Sequence, residues 1–128
     1  MAREFEVSHH FSATPEVIYH AWLNSVEHSA MTGGTAEVSN VVGGTFEAWD
    51  GYITGKNLDL EPSKRIVQSW RTTEFTDDEE DSRIEILLKA QDGGTLVTIK
   101  HTNLPKHGLQ YEQGWFDSYF VPMMGYIE

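Results

Sequence analysis

Residues Gly43 to Asn57 read GGTFEAWDGYITGKN, with four glycines and three aromatics around a single Asp-Gly step. The stretch has two readings: a glycine-rich loop that cradles a phosphate, or a β-hairpin that carries large rings. The phosphate reading needs a lysine followed by Ser or Thr, or a G-x-G-x-x-G run opening a helix, and neither is present. Asp50-Gly51 supplies the positive φ angles of a tight turn, and the flanks TFEAW and YITGKNLDLE have strand composition. The stretch is a hairpin. Gly33-Gly34, Gly43-Gly44 and Gly93-Gly94 likewise sit between periodic segments as turns.

Working outward, REFEVSHHF (Arg3 to Phe11) alternates, with Phe5, Val7 and His9 on one face, and predicts a strand. The period then changes. Thr14 is a capping residue, Pro15 suits the first helical position and Glu16 complements the helix dipole. Val17, Ile18, Ala21 and Trp22 form one apolar face at helical spacing, and a second short helix over Ser25 to Met31 stops at Gly33-Gly34. Strands AEVSNVV, RIVQSWRTTEF, SRIEILLKA and TLVTIKHT follow, separated by Gly43-Gly44, Pro62-Ser63-Lys64, an acidic loop and Asp92-Gly93-Gly94. Links this short make an antiparallel meander. Leu104-Pro105 ends the sheet, and Gly108 to Ile127 returns to helix. Tyr111, Trp115, Tyr119 and Met123 recur every four residues beside a second stripe of Phe116, Phe120, Met124 and Ile127, and Pro122 should bend or break this helix.

The predicted order is strand, two helices, six strands and a long helix, an α+β arrangement in one domain over residues 1–128. A meander with one apolar face needs a cover, and the C-terminal helix is the element large enough to provide it. A curved sheet gripping a helix leaves a cavity, the physical basis for expecting a ligand.

Composition narrows the partners. Nine Lys and Arg against twenty Asp and Glu give a net charge of −11, which disfavours nucleic acid and anionic membrane. Cysteine is absent, so disulfides and cysteine-ligated zinc are excluded, in keeping with a reducing, cytoplasmic setting. No apolar run reaches the ~20 residues of a membrane span. Asp77 to Asp81 form an acidic run that reads as a solvated loop, with an electrostatic docking handle as the sharper alternative.

No catalytic or metal-binding constellation stands out, and no cofactor is expected. His28 and Ser29 are helix neighbours that do not face each other, and no G-x-S-x-G elbow exists. His9 and His10 point to opposite faces of a strand and cannot chelate one metal. His101 and His107 flank the loop before the last helix, near the expected cavity mouth. Tryptophan is the informative residue: Trp22, Trp49, Trp70 and Trp115 all fall on elements facing the interior or its rim. The expected cavity lining is Trp22, His28, Met31, Phe46, Trp70, Trp115 and Tyr119, with Lys56, Asn57, Gln68 and Arg71 as candidate polar heads.

The stretch AWLNSVEHSAMTGGTAEVSNVVGGTFEAWDGYITGKNLDLEPSKRIVQSWR, with the later GGTLVTIKHTNLP and YEQGWFDSYFVPM, resembles the family of activators of the heat-shock protein 90 ATPase, in its C-terminal domain. The resemblance runs from about Phe5 to Met124. It implies the START-like (SRPBCC) helix-grip fold shared with the birch-pollen allergens. With the reading of the residues above, three functional expectations remain. The first is a stand-alone domain that binds a small hydrophobic or aromatic molecule in its cavity. The second is a co-chaperone that stimulates heat-shock protein 90. The third is a cavity enzyme of cyclase or hydrolase type using His28 or Arg71, for which no family catalytic residue carries over.

Overall fold

The computed structural model describes residues 3–127. Strand β1 (Arg3–Phe11) is followed by helices α1 (Pro15–Trp22) and α2 (Ser25–Thr32). The strands β2 (Glu37–Val38), β3 (Thr45–Ala48), β4 (Ile53–Glu61), β5 (Arg65–Thr72), β6 (Ser82–Gln91) and β7 (Gly94–Leu104) come next. A C-terminal helical stretch closes the chain. It opens with a 3-10 turn (Lys106–Gln110), continues as α3 (Tyr111–Trp115), widens into a π turn (Phe116–Phe120) and ends as α4 (Val121–Ile127).

Local chemistry accounts for the boundaries. Thr14 Oγ1 accepts from Val17 N–H at the start of α1, and Asn24 Oδ1 accepts from Glu27 N–H at the start of α2. Gly33, at φ 87°, ends α2 in the left-handed region that glycine enters without penalty. The buried face of α1 is narrower than its spacing predicts. Ile18, Ala21 and Trp22 are buried, whereas Val17 is 51% exposed because its side chain sits one step round the helix, toward solvent.

The seven strands form one antiparallel sheet in the order β1-β7-β6-β5-β4-β3-β2. Beyond the meander, β1 adds an edge strand against β7, where Val7 pairs with Ile99 and Phe11 with Thr95. The sheet is curved around the C-terminal helical stretch, the helix-grip arrangement. The hairpin at the centre of the sequence joins β3 to β4. Tyr52 N–H bonds the Trp49 carbonyl across Asp50 (φ 59°) and Gly51 (φ 86°), which is a type I′ turn. Trp49 also has positive φ, at 51°. Asp50 holds the turn in place, its N–H donating to the Thr35 carbonyl and its Oδ1 accepting from Thr35 N–H.

The C-terminal helix is not uniform. Val121 N–H reaches five residues back to the Phe116 carbonyl, immediately before Pro122. A proline ring collides with the carbonyl four residues earlier, here that of Ser118, and a widened turn makes room for it. The bend or break expected from Pro122 therefore appears as a π turn that ends two residues before it.

Candidate functional site

Between the sheet and the C-terminal helical stretch lies a cavity of about 270 Å³. The sheet side contributes Trp49, Tyr52, Ile53 and Trp70; the helix contributes Tyr111, Gly114, Trp115, Ser118 and Tyr119. Tyr111, Trp115 and Tyr119 recur at four-residue spacing and present their rings on one side of the helix. Gly114 and Ser118 form the adjoining row, also four apart. A Cβ built on Gly114 meets nothing within 4 Å, so this helical glycine opens space at the cavity wall.

Of the expected lining residues, Trp70, Trp115 and Tyr119 stand on this wall. Trp22, His28 and Met31 lie behind it, each fully buried in the core. Trp22 stacks on Tyr119 at 5.0 Å and on Trp115 at 6.3 Å between ring centroids, so it backs the wall without reaching the cavity. Phe46 is buried elsewhere and borders a shallow depression formed with Ser25, Val38 and Thr54. Trp49, Tyr52, Ile53, Tyr111, Gly114 and Ser118 complete the wall and are not among the expected lining residues, although the sequence places Trp49 at the interior or its rim. Trp49 and Tyr52 were signalled by flanking the Asp-Gly turn, and Tyr111 by heading the aromatic stripe.

Of the candidate polar heads, Gln68, Asn57 and Arg71 are engaged within the protein. Trp22 Nε1–H donates to Gln68 Oε1 at 3.4 Å, and Gln68 Nε2–H donates to Asn57 Oδ1 at 2.9 Å. Asn57 Nδ2 in turn donates to the carbonyls of Ser39 and Val41, pinning the loop before β3. Arg71 faces outward and clamps the acidic loop through the Thr76 and Glu79 carbonyls and Asp81 Oδ1. Lys56 is exposed.

Two buried histidines support the wall from behind. His28 Nδ1 lies 2.8 Å from the Trp22 carbonyl, so it carries the proton, and Nε2 accepts the Tyr119 hydroxyl at 2.9 Å. His101 has the opposite tautomer. Trp115 Nε1–H donates to its Nδ1 at 3.0 Å, leaving Nε2–H for Ser82 Oγ at 2.8 Å. The Ser82 hydroxyl donates in turn to the Trp70 carbonyl at 2.6 Å. Burial lowers the pKa of both imidazoles, that of His101 to about 3. His101 therefore lies beneath the cavity floor and not at its mouth. His107 is nearer the surface and pairs with Glu79 at 3.1 Å.

Among the described residues no carboxylate, imidazole, ammonium or guanidinium lines the cavity. Burial raises the pKa of Tyr119; Tyr52 is raised by burial and by its hydrogen bond to the Glu74 carboxylate. The phenols thus remain neutral donors, and the wall offers packing and hydrogen bonding rather than proton transfer. Trp49 Nε1 is buried without a hydrogen-bond partner, in a bulky residue with a left-handed backbone. Both features are energetically unfavourable and converge on one wall residue. Among the described residues no His, Cys, Asp or Glu cluster suits a metal ion, and no helix is long and apolar enough to cross a membrane.

Comparison with known proteins places this architecture. The chain is 29% identical over 116 residues to an activator of 90 kDa heat shock protein ATPase homolog from Dictyostelium discoideum, an alignment covering 88% of this chain and 30% of the relative. It is 27% identical over 111 residues to activator of 90 kDa heat shock protein ATPase homolog 1 from Homo sapiens, covering 86% of this chain and 32% of the relative. The chain thus spans about a third of the length of these curated relatives. Among solved structures, an HSP90 activator from Plasmodium falciparum superposes with a TM-score of 0.80 at 22% identity, covering 92% of this chain and 90% of that one. Residues 12–122 match the family described as Activator of Hsp90 ATPase homolog 1-like protein, and the chain belongs to that family.

Proposed function

We propose that this chain is a binding domain that holds a small hydrophobic or aromatic molecule between its sheet and its C-terminal helix. The observation that carries this reading is Gly114. A glycine inside a helix costs roughly 0.5–1 kcal/mol relative to alanine, and here the space it leaves lies on the wall of a 270 Å³ cavity. Helix stability favours a side chain at this position, whereas an occupied cavity favours none. The remaining wall is mainly aromatic, as an apolar ligand requires.

The test is mass spectrometry of the purified protein under native and denaturing conditions, beside a Gly114→Leu variant. A cavity ligand appears as a reproducible extra mass of a few hundred daltons on the wild type, absent from the folded variant. An adduct of equal abundance on both proteins contradicts the reading, because the leucine occupies the same space.

A second reading rests on family membership: a surface contact with heat-shock protein 90 that raises its ATPase rate. It is supported by the relatives' names and by the charge of −11, which attracts basic partner surfaces. Stimulation of a matched chaperone, weakening as salt rises, is the expected result. An unchanged ATPase rate at excess protein counts against it.

A further inference from the structure

Among the described residues, four hydroxyl groups stand on the cavity wall, those of Tyr52, Tyr111, Ser118 and Tyr119. Three are already committed. Tyr52 donates to the Glu74 carboxylate, Tyr111 shares a 2.7 Å hydrogen bond with Thr72 Oγ1, and Tyr119 donates to His28 Nε2. The fourth, Ser118, has no hydrogen-bond partner among the described residues. A helical serine commonly returns its hydroxyl to the carbonyl four residues back, as Ser29 does to Ser25 at 2.7 Å. Ser118 does not, and it stands in the π turn, next to Tyr119 and on the wall of the same cavity as Gly114.

Resting on the cavity reading above, we propose that Ser118 is the residue that selects the ligand: a flat, uncharged ring compound with one hydrogen-bonding oxygen, which meets Ser118 Oγ while the ring packs against Trp70 and Trp115. The lack of charge on the wall sets the charge of the ligand. An anion placed there would lose its hydration with no opposite charge to replace it, and the protein's net charge of −11 opposes it before contact; a cation would meet the Glu74 carboxylate already engaged by Tyr52. The three committed phenols leave Ser118 with the free hydroxyl of the wall, since recruiting any of them first breaks a bond within the protein. The indole N–H of Trp49 on the same wall is a donor without a partner, so the ligand oxygen that meets these groups is an acceptor.

The probes are indan-1-one, indane and phenyltrimethylammonium, titrated into wild type, Ser118→Ala, Ser118→Thr and Gly114→Leu, with affinity read by calorimetry or ligand-observed NMR. A hydrogen bond of this kind corresponds to about a tenfold change in affinity. Ser118→Ala should therefore weaken indan-1-one about tenfold and leave indane within about twofold, which also shows that the variant is folded. Ser118→Thr, which keeps the hydroxyl, should restore most of the loss. Equal indan-1-one affinity in wild type and Ser118→Ala overturns the role of Ser118. The cavity reading survives that result if indane still binds and Gly114→Leu excludes it. Tighter binding of phenyltrimethylammonium than of indan-1-one overturns the uncharged ligand, because the rings would then be reading a cation. If no probe binds the wild type, the cavity reading fails and the inference fails with it.

Discussion

Trp115 on the C-terminal helix donates its indole proton to His101 in β7, 3.0 Å away, and so locks the imidazole in the tautomer that also serves Ser82. This bond ties the covering helix to the sheet beneath the cavity. Its acceptor works only while His101 is neutral, and burial holds the imidazole pKa at about 3. In the unfolded chain the same group titrates near 6.5.

A dependence of stability on pH follows. Below about pH 6.5 the unfolded chain takes up a proton at His101 that the folded chain refuses until about pH 3, so the unfolded state binds more protons across that window. Stability is complete above pH 6.5 and falls with acid, by at most ~1.4 kcal/mol per pH unit for one such histidine. His28, also lowered by burial, acts in the same direction. Denaturant melts between pH 7 and pH 4 should show this decline. A flat profile over that range would mean that neither imidazole is kept neutral by the fold.

Gly114→Ala should stabilise the protein by roughly 0.5–1 kcal/mol, because the new methyl group meets open space and alanine is the better helix former. Chemical denaturation measures it. Destabilisation would show that the space beside Gly114 is already filled.

Gly34→Ala should do the opposite. A Cβ there comes within 2.6 Å of the Trp49 ring, which must shift or be forced off its rotamer, at about 1–3 kcal/mol. Because Trp49 is a wall residue, the same substitution should weaken indane binding. Unchanged stability together with unchanged binding would show that the Trp49 ring moves freely.

Gln68→Leu should cost about 2–4 kcal/mol. It strips the partner from Trp22 Nε1 and from Asn57 Oδ1 at once, leaving two buried polar atoms unsatisfied. Thermal melts of this variant against Asn57→Ala and the double variant test whether Gln68 and Asn57 are coupled. Strict additivity would separate them.

The order of elements was legible because its signals are local. Thr14 and Asn24 cap, Gly33 stops, and Asp50-Gly51 turns, each needing only its immediate neighbours. Period does not report how wide a buried stripe is, so Val17 was grouped with the buried face although it faces solvent. The cavity was harder to read because its wall is assembled from two layers. Trp70, Trp115 and Tyr119 follow from the sheet and helix patterns. Trp22 has the same composition and spacing as a wall residue, yet the stacking of Trp115 and Tyr119 in front of it makes it a backing residue. His28 and His101 look alike as isolated letters, and only their partners show that both are neutral and structural. Gly114 and Ser118 carry little signal because a small residue in a helix is unremarked until something larger is found to be missing beside it.

The most direct single measurement is a two-dimensional nitrogen–proton spectrum of the four tryptophan indoles during titration with indane. Occupation of the cavity predicts saturable shifts of the Trp49, Trp70 and Trp115 indole signals, with Trp22, behind the wall, moving least. Indole signals that stay fixed to the limit of indane solubility, or a shift largest at Trp22, would contradict a binding site between the sheet and the C-terminal helix.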